Sequence, residues 1–398
     1  MDIPKEARGL RTWVEIDLRA LEKNTHAVKR FLGKKTLLCG VVKSNAYGHG
    51  LVPVARALAS FGADWLGVDS AVEAFRLREK GVRIPLLVLG YTLPAHFARA
   101  SKEKISLTVS NMPALEKALT WVAETKKPLS VHLKIDTGMH RQGFLPEEMP
   151  ALKKILQEIS HNKHSNILKN VGMLKVEGIY SHLADPNPKA PASARAQIRQ
   201  FKKSVAELPV AAGKPLLHIG ATAGAACFPD PFFTMARIGI ALYGMWPSTE
   251  ARDMMMKKKT KLTPVLSWRT IVGEVKKIKK GERVGYGFTE KVLCDSTTAV
   301  LPVGYWHGYP LALSGKARVL VRGKRAKVLG RVSMDMTVVD VTGIHGVAAG
   351  DAVTLIGKDG AEEITAGELA ERAGTISHEI LTRINPLVER ITTPTMAI

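Results

Sequence analysis

From Thr12 to about residue 220, short apolar and β-branched runs alternate with longer stretches whose apolar positions recur every three or four residues. The short runs, at 13–17, 36–42, 65–68, 85–89, 106–109, 130–135, 178–182 and 216–219, are predicted strands. The periodic stretches between them, at 21–31, 52–61, 71–80, 114–123, 150–159 and 194–208, are predicted helices. Strand and helix in alternation predict a parallel sheet with crossover helices. Eight strand runs favour closure into a (β/α)8 TIM-like barrel over an open doubly wound sheet. No Gly-x-Gly-x-x-Gly turn follows the first strand, which weakens a dinucleotide fold further.

The pattern changes after Met245, Trp246, Pro247 and Ser248. Beyond Leu262 the strand-like runs at 267–278, 298–303, 317–321, 326–332, 337–341 and 352–356 lack long crossovers, and links as short as 322–325 suit antiparallel hairpins. One helix is predicted at 366–372. The expected division is an α/β barrel domain over 1–250, whose first ten or so residues pack with it or with the second domain, and a mostly β C-terminal domain over 251–398.

Composition changes this picture little. A chain of 398 residues with 45% hydrophobic content is long enough for two cored domains. Apolar runs such as 86–89 and 299–303 are too short to span a membrane, and residues 1–11 lack a signal-type apolar region, so a cytoplasmic protein without a membrane partner is expected. Cys39, Cys227 and Cys294 are odd in number and share no ligand-like spacing, which argues against a disulfide framework or a metal site. The net charge of +22 raises nucleic acid, acidic lipid and small anions as partners. Its lysines are scattered in short runs at 34–35, 257–261 and 276–280 without interleaved aromatics, so a solvated basic surface is expected and nucleic acid is not.

Lysine 43 ends the buried strand at 36–42 and opens a glycine-punctuated loop. Such an amine is either snorkelled into water or depressed in pKa for covalent chemistry with a carbonyl. Lys43, Lys134 and His182 each close an apolar strand at its C-terminal end, where barrel enzymes gather their catalytic groups. On residue types alone, Lys134, Asp136 and Arg141 also fit a surface ion-pair cluster, His182 a core histidine, and Tyr286 a structural aromatic.

The run Val-Val-Lys-Ser-Asn-Ala-Tyr-Gly-His-Gly at 41–50 resembles the cofactor attachment segment of the alanine racemase family. That resemblance implies pyridoxal 5'-phosphate held by Lys43, with Tyr47 reaching its phosphate. Lys-Ile-Asp-Thr-Gly-Met-His-Arg-Gln-Gly at 134–143 is similar to the family loop in which a lysine, often carbamylated, orients an arginine toward the substrate carboxylate or the cofactor phenolic oxygen. Here those residues are Lys134 and Arg141. His182 matches the histidine that stacks on the cofactor ring, and His-Ile-Gly-Ala-Thr at 218–222 resembles the phosphate-binding turn, with Thr222 where serine is usual and Ala221 in place of a common asparagine. Arg-Ile-Gly-Ile-Ala-Leu-Tyr-Gly at 237–244 resembles the segment in which the arginine meets the ring nitrogen, giving that role to Arg237, while Gly239 and Ile240 offer backbone amides to phosphate. An arginine cannot accept a proton and so keeps that nitrogen unprotonated.

In the β-rich part, Arg-Val-Gly-Tyr-Gly at 283–287 resembles the motif of the second base, Tyr286; Pro-Val-Gly-Tyr at 302–305 that of a phosphate-contacting Tyr305; and Gly-Arg-Val-Ser-Met-Asp at 330–335 the loop whose Met334 amide meets substrate. The resemblance implies two-base interconversion of L- and D-alanine, supplying D-alanine for peptidoglycan, by a homodimer in which Tyr286 and Met334 serve the neighbouring subunit's site. Two rivals share the scaffold: a broad-specificity amino-acid racemase and a pyridoxal-phosphate-dependent amino-acid decarboxylase. His378 stands where many relatives have tyrosine, Leu311 where arginine is frequent, His140 for a glycine, and Trp306-His307 for an Ala-Asp-like pair.

Overall fold

The computed structural model describes residues 3–161, 173–209 and 214–393. The chain forms two compact units, one of residues 21–43 and 51–263, the other of residues 1–20, 44–50 and 264–398.

The first unit is the barrel. Counting Thr12–Asp17 as β1, its strands are β2 (Leu37–Val41), β3 (Trp65–Val68), β4 (Leu86–Val88), β5 (Ile105–Val109), β6 (Leu129–Lys134), β7 (Leu174–Tyr180), β8 (Leu216–His218) and β9 (Met235–Ile238). They pair in parallel in the order β8-β7-β6-β5-β4-β3-β2-β9. Thr234 N–H donating to Leu217 O (2.9 Å) and Arg237 N–H to Gly220 O (3.0 Å) draw the ends together, leaving the barrel nearly closed. All five residues of β5 are buried, as expected of a parallel strand covered on both faces. Helices fill the outer layer. Ser70 Oγ accepts from Glu73 N–H at the start of Ala71–Glu79, and Asn111 Oδ1 from Ala114 N–H at the start of Met112–Thr125.

The number of barrel strands agrees with the expectation, but their membership shifts by one. The run at 13–17 belongs to the other unit, and the eighth strand is β9, whose central arginine interrupts the apolar run by which strands were recognised. Residues 251–263, placed with the C-terminal domain from sequence, group with the barrel. A fully buried Asn24 explains the attachment: its Nδ2 donates to Leu242 O (3.1 Å) and Thr263 O (2.7 Å), and its Oδ1 accepts from Thr263 N–H (2.8 Å).

The second unit is built on a ten-stranded, mostly antiparallel sheet in which β1 pairs antiparallel with Leu266–Ile271 and parallel with Glu389–Thr393. The single strand expected at 267–278 is two, Leu266–Ile271 and Glu274–Ile278, which pair with different partners in that sheet. The expected hairpin is present as Arg318–Val321 against Lys324–Leu329. Trp13 and Trp268 are fully buried here, Trp268 packing edge-to-face on Tyr309 at 6.0 Å. Helix Ala366–Ala373 is as expected, and Ser377–Thr382 adds a short helix that the sequence pattern did not reveal. Among the described residues no helix is long and apolar enough to cross a membrane.

Candidate active site

Lys43 follows β2 at the C-terminal mouth of the barrel, half-exposed, with Nζ 3.5 Å from Asp69 Oδ1. An exposed pair of this length holds the amine only loosely. The backbone beyond it is unusual: Ser44, Asn45, Ala46 and Tyr47 all have φ of +54° or +55°, a complete turn of left-handed helix without a glycine. Each such residue costs about 1–2 kcal/mol relative to the right-handed form, so the surroundings must hold the turn. They do so through Gly48 N–H to Ser44 O, His49 N–H to Ala46 O and Gly50 N–H to Asn45 O (2.9–3.1 Å), and through Arg390 Nε donating to Gly48 O at 3.1 Å. Gly48 itself has φ +83°, and a Cβ there would lie 2.0 Å from Leu381 O. The turn presents Tyr47 5.8 Å from the His378 ring, and burial pushes its phenol up to about 12.

Within the barrel, Arg237 is buried on β9. Its Nη2 donates to Ser181 O (2.7 Å), Ile219 O (3.1 Å) and His182 Nδ1 (3.1 Å), and its Nη1 to His218 Nδ1 (2.6 Å) and His218 O (3.2 Å). Among the described residues it makes no salt bridge. His182 is held down to about 3, first by burial and then by the positive charges of Arg237, Arg141, Lys134 and Lys43. Tyr180 stacks on His218 at 4.8 Å, and its phenol, pushed up to about 12 by burial, shares a 2.8 Å hydrogen bond with Thr108.

Lys134, the last residue of β6, is buried and bonds to Gln142 Oε1 at 2.9 Å. Burial first, and then Arg141 and Arg237, lower its ammonium to about 8. The surface ion-pair cluster is absent among the described residues: Asp136 is buried and spends its carboxylate on the loop backbone, Oδ1 accepting from Gly138, Met139 and His140 N–H and Oδ2 from Arg141 N–H (2.8–3.1 Å). That cage fixes the loop bearing Arg141. Thr222 opens the short helix Thr222–Cys227, whose N-cap Ala221 offers its amides no side-chain acceptor. Gly239 and Ile240 begin successive turns, with Leu242 N–H to Gly239 O and Tyr243 N–H to Ile240 O, so their own N–H groups precede the first acceptor within those turns.

The remaining predicted residues lie in the other unit. Tyr305 N–H donates to Ser333 O and Trp306 N–H to Met334 O, each at 3.0 Å, which joins the loops of Tyr305 and Met334. Tyr286 follows Gly285 in a tight turn and is 71% exposed.

The barrel residues suit an anionic cofactor with an aldehyde: an accessible amine, uncapped amides, and a guanidinium that pairs with no carboxylate among the described residues. Residues 16–247 match the family model described as alanine racemase, N-terminal domain, and residues 265–392 the model for its C-terminal domain.

The chain belongs to the alanine racemase family.

It is 39% identical over 384 residues to the alanine racemase of Symbiobacterium thermophilum, covering 96% of this chain and 97% of that one. It is 34% identical to that of Methanococcus maripaludis, covering 95% and 98%. The crystal structure of the Bacillus anthracis alanine racemase with bound L-Ala-P superposes with a TM-score of 0.86 at 34% identity over 96% of this chain and 95% of that one. The Streptomyces coelicolor alanine racemase gives 0.87 at 32% over 96% and 98%. The enzyme is thus a racemase, an isomerase.

Several racemase residues escaped the sequence pattern. Asp69, which partners Lys43, is an ordinary polar residue outside the motifs, and Gln142, which partners Lys134, lies within the 134–143 motif without a residue type that marks a role. His132 had a signal: two residues before Lys134 on one strand, it shares that lysine's face of β6.

Proposed function

We propose that this racemase interconverts L- and D-alanine with pyridoxal 5'-phosphate carried on Lys43, exchanging the α-proton between two opposed bases. The observation that carries the reading is Arg237, buried and bonded to His182 and His218, with Lys43 following β2 and Lys134 ending β6 at the C-terminal mouth of the same barrel. Such a set of basic side chains suits a phosphate dianion and a substrate carboxylate together. When bound, pyridoxal 5'-phosphate supplies an electron-withdrawing ring that acidifies the α-carbon–hydrogen bond of an attached amino acid.

Lys43 Nζ takes or returns the proton on one face. Tyr286 Oη, lent by a second copy of the chain, acts on the other. Arg237 meets the ring nitrogen as a donor that can accept nothing, which favours prompt return of the proton to carbon. Thr222 Oγ1 and the Gly239 and Ile240 amides hold phosphate; Tyr47 and Tyr305 add phenolic donors, and the protonated state of Tyr47 supports that role. Arg141 and the Met334 amide orient the substrate carboxylate. Lys134, with its ammonium lowered to about 8, holds a larger share of neutral amine near neutrality than an ordinary lysine and so reacts more readily with carbon dioxide; a carbamate there exchanges a repelled cation for an anion that positions Arg141.

The homodimer is supported by the number of large side chains left exposed in the second unit, Tyr286, Phe288, Trp306, Leu311, Met334 and Met336 among them. Three free cysteines fit the reducing cytoplasm, where D-alanine would feed peptidoglycan synthesis. Lys43→Ala is expected to remove the visible absorption of the lysine-bound cofactor and all racemisation measured by chiral chromatography; turnover at the wild-type rate refutes the assignment. Tyr286→Phe is expected to slow proton removal from L-alanine more than from D-alanine, and equal slowing argues against bases on separate faces.

A further inference from the structure

Behind Arg237 lie two fully buried histidines whose proton positions are dictated by the guanidinium. Arg237 Nη1 can only donate, so His218 Nδ1, 2.6 Å away, is the bare accepting nitrogen. His218 therefore carries its proton on Nε2 and donates to His132 Nδ1 at 2.9 Å. His132 in turn is bare at Nδ1 and protonated at Nε2, a buried atom with no hydrogen-bond partner. Along this chain the donors run one way, Arg237 Nη1 to His218 Nδ1 and His218 Nε2 to His132 Nδ1. A second proton on either ring would set two donors face to face.

The seat of His132 is built for it. A Cβ on residue 178 would lie 2.3 Å from His132 Nδ1, so the glycine on β7 leaves the space that the ring occupies. The register of β6 against β7 shifts between Val131 and His132, and Trp65 meets the ring edge-to-face at 5.4 Å. An unpartnered buried N–H is destabilising, and an apolar side chain at 132 would avoid it. The acceptor at Nδ1 is what such a side chain would lack.

We propose that His132 is a positioning residue for Arg237: by accepting from His218 it locks the one tautomer that anchors the Nη1 edge of the guanidinium and so fixes the direction of its remaining donors. Only the claim that those donors face the cofactor's ring nitrogen rests on the function proposed above.

Selective 15N labelling of histidine in the holoenzyme reads the chain directly, with both His218 and His132 expected protonated at Nε2 and bare at Nδ1. His132→Leu removes the acceptor, whereas His132→Asn places Oδ1 where Nδ1 stood. The expected result is that His132→Leu loses the fixed Nε2–H signal of His218 and lowers kcat by about tenfold at nearly unchanged KM, and that His132→Asn recovers both. Wild-type His218 protonated at Nδ1 overturns the proposal, as does a His132→Leu enzyme with signal and kcat unchanged. Equal impairment of the Leu and Asn variants also overturns it, since only packing would then be at stake. Failure of the cofactor reading is visible separately, as a wild-type spectrum without the lysine-bound band, while the histidine signals still decide the donor order.

Discussion

Replacing Lys134 by Met tests the electrostatics of the barrel mouth. Methionine keeps most of the buried aliphatic stem and discards the charge, and half-buried Gln142 is left to turn toward water. Burial and the neighbouring Arg141, Arg237 and Lys43 lower the Lys134 ammonium from 10.5 to about 8, which corresponds to a penalty of about 3 kcal/mol on the charged form in the folded protein. The sign follows from linkage. Below about pH 8 both folded and unfolded chains carry the proton and the whole penalty applies; between about pH 8 and 10.5 the folded protein sheds it and the penalty fades. In bicarbonate-free buffer, urea unfolding is therefore expected to show Lys134→Met more stable than wild type by up to about 3 kcal/mol at pH 7, the gap closing toward pH 10.5. Added bicarbonate should stabilise wild type near pH 8 and leave the variant unchanged, with a carbamate resonance from 13C-bicarbonate in wild type alone. A gap that does not vary with pH, or an equal response of both proteins to bicarbonate, refutes the reasoning.

Gly48→Ala forces a Cβ against Leu381 O at φ +83° and is expected to destabilise by about 2–4 kcal/mol, read as a lowered urea midpoint. Asn24→Ala strands the Thr263 amide and the Leu242 and Thr263 carbonyls, with an expected loss of about 2–3 kcal/mol. His378→Tyr alters the neighbour of Tyr47 at 5.8 Å and is expected to change the ratio of alanine to serine racemisation on an amino-acid panel; an unchanged ratio removes His378 from substrate selection.

The alternation of strand and helix was legible because parallel barrel strands are apolar on both faces and helices are not. What it could not convey was which sheet a strand joins. The run at 13–17 is apolar enough for a barrel but hydrogen-bonds to strands hundreds of residues away, at 266–271 and 389–393. Strand β9 was hidden by Arg237, the residue that gives it its role. The candidate residues stood out as motifs, through lysines and a histidine near strand ends, whereas the bonds around them did not: the Asp136 cage and the Arg237–His218–His132 chain depend on backbone direction and packing that residue types do not encode. Four consecutive positive φ values in Ser-Asn-Ala-Tyr had no glycine to announce them.

That stretch of reversed winding also limits how the sequence can drift. A mirror-hand coil brings Cβ close to the following carbonyl at each of its four positions, and branching at Cβ worsens the clash. Residues unbranched at Cβ are tolerated there and valine, isoleucine or threonine are not, so the segment from Lys43 to Tyr47 is narrowed by backbone chirality before any chemistry is selected.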